Sequence, residues 1–213
     1  MRVTVVGVGK VGFFLAHYLQ SVGHDVIGYD TNPDHVARLE IEGNPYALYE
    51  RLSPAAASAG LLVTGEPHVA YASADAAVLI VPTPQIGDRL SSVCIRKAGE
   101  EARRLMPKGA HLLIASTLDP REASDVCRDL DAVYTPIFIR LGSVFEDLKS
   151  QKFLLVGKIG GSSVPFEYNI LEVWKWVGYG YPVRPVVVSD PTTIACAKLA
   201  INATLSSRIA WAN

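Results

Sequence analysis

Three glycines constrain this chain more than any other feature, because the run Gly7-Val8-Gly9-Lys10-Val11-Gly12 joins a strand-like segment to a helical one. Arg2 to Val6 is short and rich in β-branched valine, as a buried strand requires. Val11, Phe14, Leu15, Tyr18, Leu19 and Val22 recur at helical spacing and form one apolar stripe. Gly23 is placed to close that helix in the left-handed conformation. A second strand, Asp25 to Tyr29, ends at Asp30, 18 positions beyond Gly12. Strand, helix and strand within about 30 residues make a βαβ unit with parallel strands and a right-handed crossover.

The G-x-G-x-x-G spacing carries little weight alone. A strand before it, an amphipathic helix after it and an acid closing the next strand complete a dinucleotide-binding fingerprint. Gly7 permits the tight turn, Gly9 lets the main chain approach a pyrophosphate, and Gly12 lets the helix pack close to the strand. Amides at the helix start supply positive potential for the phosphates, and Lys10 adds a cation. The predicted cofactor site therefore comprises Gly7, Gly9, Lys10, Val11, Gly12 and Asp30. The Asp30 carboxylate suits ribose hydroxyls and repels a 2′-phosphate, which favours NAD over NADP. The alternative is a tight βα turn with no ligand.

Strand and helix signals alternate along the rest of the chain. Asn32 and Pro33 open a helix to about Glu40, and Ile41 to Gly60 is unreadable beyond short helical pieces and loop. Leu61 to Thr64, Ala77 to Val81, Leu112 to Ala115, Ala132 to Thr135, Phe153 to Val156 and Pro185 to Val188 read as strands. Ser92 to Met106 and Arg121 to Asp129 read as helices. Ser163 and Pro165 open another, with Phe166, Ile170, Val173, Trp174 and Val177 on one face. The pattern predicts an α/β fold, a Rossmann-type doubly wound parallel sheet with helices on both faces, followed by the start of a long helix capped by Asp190 and Pro191. Residues 1–189 form the coenzyme domain and 190–213 the start of that helix. Ile194, Ile201, Leu205 and Ile209 give it an apolar stripe that either packs back on the sheet or meets a second copy or a further domain.

Composition narrows the classes. A formal net charge of −1 argues against nucleic acid as a main partner, because phosphate recognition leans on a basic surface. With 49% hydrophobic and 19% charged residues the chain has ample core. No apolar run reaches the roughly 20 residues of a membrane helix, and the N-terminus lacks a signal-peptide pattern. Cys94, Cys127 and Cys196 are widely spaced, as in a cytoplasmic protein with reduced, buried thiols. The five histidines lack zinc-ligand spacing, so no metal site is predicted.

Five motifs in order resemble the N-terminal half of the UDP-glucose/GDP-mannose dehydrogenase family. They are the glycine run, Val81-Pro82-Thr83-Pro84, Ala115-Ser116-Thr117-Leu118, the stretch from Pro136 to Ser143 with Asp147 after it, and Lys198-Leu199-Ala200-Ile201-Asn202-Ala203. The resemblance implies NAD-dependent oxidation of a nucleotide-linked hexose at C6, with an aldehyde captured by a cysteine. It implies that Thr83 and Thr117 face the nicotinamide end, with Thr117, Lys198 and Asn202 catalytic. Phe138, Arg140 and Lys198 would contact substrate, and the protein would be a homodimer. Lys198 and Asn202, four apart on a helix, share a face and make a reasonable oxyanion clamp.

The departures are chemical. Ile137 and Leu141 stand where the family stretch has glutamates, Ala115 where it has lysine, and Ala195 where an acid precedes the helix lysine. A carboxylate can orient or deprotonate a water, whereas isoleucine and leucine cannot. The family's nucleophilic cysteine lies in a C-terminal domain beyond position 213. Cys196, about 200° around its helix from Lys198, is expected to be buried and inert. Three readings follow: the cofactor half of a nucleotide-sugar dehydrogenase, a catalytically silent NAD or sugar-nucleotide module, or a β-hydroxyacid-type dehydrogenase.

Overall fold

A computed structural model describes residues 1–52, 58–151, 153–159, 173–174 and 186–212. The opening βαβ unit is as expected. β1 (Arg2–Val6) leads through Gly7 to α1 (Lys10–Ser21), and β2 (Asp25–Tyr29) pairs with β1 in parallel, Val6 beside Tyr29. Gly23, at φ +91°, ends α1: its N–H donates to the Gln20 carbonyl, and the His24 N–H reaches back to Leu19.

α2 (Pro33–Glu42) starts as the sequence indicates, with the Asn32 side chain accepting from the amides of Asp34 and His35. There follow β3 (Leu62–Thr64), α3 (Pro67–Tyr71), β4 (Ala76–Leu79) and a hairpin of β5 (Gln85–Ile86) and β6 (Arg89–Leu90). The remaining elements are α4 (Val93–Leu105), β7 (His111–Ile114), α5 (Ala123–Asp129), β8 (Val133–Tyr134), α6 (Val144–Ser150), β9 (Leu154–Gly157), β10 (Val186–Ser189) and α7 (Pro191–Ala212). The helix expected from Ser163 lies outside the described residues except for Val173 and Trp174, both buried.

Eight strands form one sheet in the order β3-β2-β1-β4-β7-β8-β9-β10. Alternation sorts the strand residues onto two faces. Val3, Val5, Ala76, Val78 and Leu113 pack under α1, α2 and α6, whereas Val6, Ala77, Leu79, Leu112 and Ile114 pack under α3, α4, α5 and α7. This is the expected doubly wound arrangement with one difference. The chain leaving β8 turns back, so β9 runs antiparallel to it and meets it only at Tyr134 and Gly157, while β10 is parallel to β9. The sheet is therefore mostly parallel.

Asp190 caps α7, accepting from the Thr193 amide at 2.9 Å and the Thr193 hydroxyl at 2.6 Å. The apolar stripe on α7 divides along its length. Ile194 is buried against the sheet, whereas Leu205 and Ile209 are exposed and Trp211 is 91% exposed. Cys196 departs from expectation: it is exposed, because α7 packs by one face only and Cys196 is on the other. Cys94 is half-buried, and Cys127 is buried, its thiol pushed up to about 12 by burial. No helix among the described residues is long and apolar enough to cross a membrane.

Candidate functional site

The connections from β1 and β4 leave in opposite directions at their carboxyl ends, β1 towards β2 and β3, β4 towards β7. In an open α/β sheet that divergence opens a crevice. Here it is a cleft of about 620 Å³ lined by Gly7, Gly9, Lys10, Val11, Gly12, Asp30, Thr83, Thr117, Lys198 and Asn202. Ile80, Val81, Pro82, Ala115 and Ser116 form its floor, and Ile137, Ile139 and Leu141 form a wall. A smaller chamber of about 370 Å³ shares Gly7, Asp30, Val81 and Pro82 with it and runs on between Tyr29, Thr31, Cys94, Lys97 and Glu101. Sequence reading did not assign α4 to this site, because Cys94, Lys97 and Glu101 belong to no motif.

The glycine loop is held by close contacts. Gly7, at φ +92°, lies so near β4 that an added Cβ would stand 2.6 Å from the Ile80 carbonyl oxygen, and on Gly12 it would stand 1.8 Å from that of Gly7. Gly9 is different, since a Cβ there would meet nothing within 4 Å and would project into the cleft. Gly9 is also the N-cap of α1, with no capping side chain and no acid in the first turn. The first amides of a helix have no intrahelical carbonyl, so those of α1 present donors and positive potential where a Cβ is missing. These features fit the diphosphate of a dinucleotide.

Asp30 sits at the rim. Its carboxylate accepts from the Val8 amide at 3.1 Å and the Asn32 amide at 3.0 Å. Those bonds fix the group between the two chambers and leave lone pairs for ribose hydroxyls. Lys10 reaches back over the loop, donating to the Tyr49 hydroxyl at 2.8 Å. Beneath, the Val8 carbonyl lies 2.9 Å from His35 Nε2, which is itself 3.1 Å from the buried Tyr46 hydroxyl. Tyr46 and Tyr49 fall in the segment whose sequence carries no periodicity.

Thr83 and Thr117 stand on neighbouring loops that are tied together. Ser116 Oγ accepts from the Val81 amide and donates to the Val81 carbonyl, both at 2.8 Å. Asp119 receives the Leu90 amide at 3.3 Å and Arg121 in two side-chain contacts, and Arg121 also reaches Asp88 at 3.0 Å. The hydrogen bond from Arg121 holds the Asp119 carboxyl far below the usual carboxylate range. The β5–β6 hairpin is thereby clamped to the turn after Thr117.

Lys198, buried on α7, donates from Nζ to the Ile137 carbonyl at 2.7 Å and lies 4.2 Å from the Phe138 ring centre. Burial pushes its pKa down to about 8, and its neighbours on the facing wall are Ile137, Ile139 and Leu141. Asn202, one turn on, lines the same cleft. Phe138 and Arg140 do not line it. The Phe138 ring packs on Phe153 at 5.3 Å, and Arg140 is paired with Asp147 at 2.7 Å on the surface.

The sequence matches the profile of the UDP-glucose/GDP-mannose dehydrogenase family, NAD binding domain, over residues 1–171. It is 24% identical to a UDP-N-acetyl-D-mannosamine dehydrogenase of Methanococcus aeolicus, covering all of this chain and 49% of that protein. Among solved structures, a UDP-glucose dehydrogenase from Pyrobaculum islandicum superposes with a TM-score of 0.80 at 25% identity, over all of this chain and 51% of the other. A GDP-mannose dehydrogenase from Pseudomonas aeruginosa also gives 0.80, at 17% identity and over 52% of its length. The chain spans about half the length of the relatives it matches. Its glycine loop, rim aspartate and sheet order are those of an NAD-binding domain, and the chain belongs to the UDP-glucose/GDP-mannose dehydrogenase family.

Proposed function

We propose that this chain is the coenzyme half of an NAD-dependent oxidoreductase acting on an alcohol of a nucleotide-linked sugar, working in the cytoplasm as a homodimer. The observation that carries the reading is the single cleft lined by the glycine loop, Asp30, Thr83, Thr117, Lys198 and Asn202. Gly7, Gly9, Lys10, Val11 and Gly12 take the diphosphate, and Asp30 takes the adenosine ribose. Thr83 and Thr117 face the nicotinamide end, where bound NAD supplies a hydride acceptor. Thr117, Lys198 and Asn202 serve the reacting alcohol: the ammonium and the amide stabilise an oxyanion, and Lys198, poised near pH 8, can take up and return its proton. Phe138 acts through Lys198, whose ammonium lies over its ring, and Arg140 is the substrate cation, a role that requires it to leave its pair with Asp147 outside the cleft. Residues 1–189 make the coenzyme domain and 190–213 begin the helix through which two copies meet.

A second reading, a module that binds NAD without oxidising a sugar, is favoured by Ile137 and Leu141, which leave that wall without a carboxylate to activate water. Calorimetric titration with NAD and NADP tests the shared part. NAD is expected to bind more tightly, and absence of NAD binding overturns both readings. UDP-glucose and GDP-mannose are then added while NADH absorbance is followed. Turnover supports the oxidoreductase and overturns the module.

A further inference from the structure

Residues 44–50 connect the glycine loop to the start of α6. Tyr46 is buried, its ring edge-on to Phe13 at 5.6 Å and its hydroxyl on His35, beneath the Val8 carbonyl. Three positions on, the Tyr49 hydroxyl accepts from Lys10, whose ammonium lies 4.1 Å from the Tyr49 ring centre. The next side chain points the other way. The Glu50 carboxylate accepts from the amides of Val144 at 2.5 Å and Phe145 at 2.8 Å, the first two residues of α6. The Tyr49 carbonyl oxygen also stands 3.3 Å from where a Cβ on Gly142 would be. Consecutive residues thus grip the glycine loop and the segment that follows the Ile137–Leu141 wall.

We infer that residues 46–50 form a strap coupling coenzyme occupancy to the position of the 137–143 loop, with Glu50 as its positioning residue. The inference deepens the coenzyme reading above and rests on it. The first-turn amides of α6 lack intrahelical partners, and the two that Glu50 satisfies hold the end of the loop. A diphosphate drawing on Lys10 acts on Tyr49, and through the adjoining peptide on Glu50. Coupling between sites is reciprocal, so a substrate seated against 137–141 tightens the coenzyme in return.

The test follows amide exchange at Val144 and Phe145 by mass spectrometry, with and without NADH, alongside NADH affinity by fluorescence. In the wild-type chain NADH is expected to slow both amides. In Glu50→Ala the slowing is lost and NADH binds about fivefold more weakly, the low end of inter-site coupling, and Glu50→Gln, which keeps one acceptor, recovers part of both. Tyr49→Phe, which removes only the hydroxyl facing Lys10, keeps the fold and also loses the slowing. If either variant speeds exchange by the same factor with and without NADH, at unchanged affinity, Glu50 merely caps a short helix and the strap is overturned. If the wild-type chain binds no NADH, the coenzyme reading falls and the strap with it.

Discussion

At the scale of single residues, Gly9 and Gly12 look alike in the motif and differ in space. Gly12→Ala drives a methyl into the Gly7 carbonyl and should cost about 1–3 kcal/mol or more in thermal or chemical denaturation. Gly9→Ala has room in the protein, so its melting temperature should stay near that of wild type while NAD affinity falls in titration. Asp30→Ala removes the acceptor at the rim and should weaken NAD about tenfold or more, narrowing the gap to NADP. Lys198 carries a pH signature. Burial lowers its pKa from 10.5 to about 8, so the unfolded chain holds that proton more tightly. The penalty is therefore full below pH 8 and is relieved as the pH rises from about 8 towards 10.5. Lys198→Met should be the more stable chain at neutral pH, by up to about 3 kcal/mol, and the difference should shrink over that window in denaturation curves. Gly9, Gly12 and Asp30 stood out in the sequence because loop and strand chemistry is local, whereas Lys198 stood out only through the family resemblance. Tyr46, Tyr49 and Glu50 did not, since their partners lie on α1, α2 and α6, and no spacing along the chain encodes them.

At the scale of elements, caps and apolar stripes mark α1, α2 and α7 in the sequence, because Asn32, Asp190 and Gly23 act on their own helix ends. The clamp between the β5–β6 hairpin and the turn after Thr117 left no such mark, because Asp119, Arg121 and Asp88 are ordinary loop residues until the fold brings them together. Asp119→Ala strips the buried acceptor from Arg121 and from the Leu90 amide. It should cost about 2 kcal/mol in urea denaturation and should loosen the loop that carries Thr83. The reversal at β9 was equally illegible, since an apolar run does not state its direction.

At the scale of the whole molecule, the alternation of strands and helices was enough to imply layers on both faces of a sheet. The last helix docks on the sheet by its first half, one of the two placements expected, while its second half leaves Leu205, Ile209 and Trp211 in solvent. If two copies meet there as proposed, the double substitution Leu205→Glu with Ile209→Glu should halve the mass seen by sedimentation while leaving NAD affinity intact. An unchanged mass would remove that surface from the assembly. The bare main chain at Gly9 has a longer reach. A cradle made of amides asks inheritance to preserve vacancies rather than particular side groups, so neighbouring positions are free to drift. Such a cradle can therefore go on holding a diphosphate while the side chains on the opposite bank change.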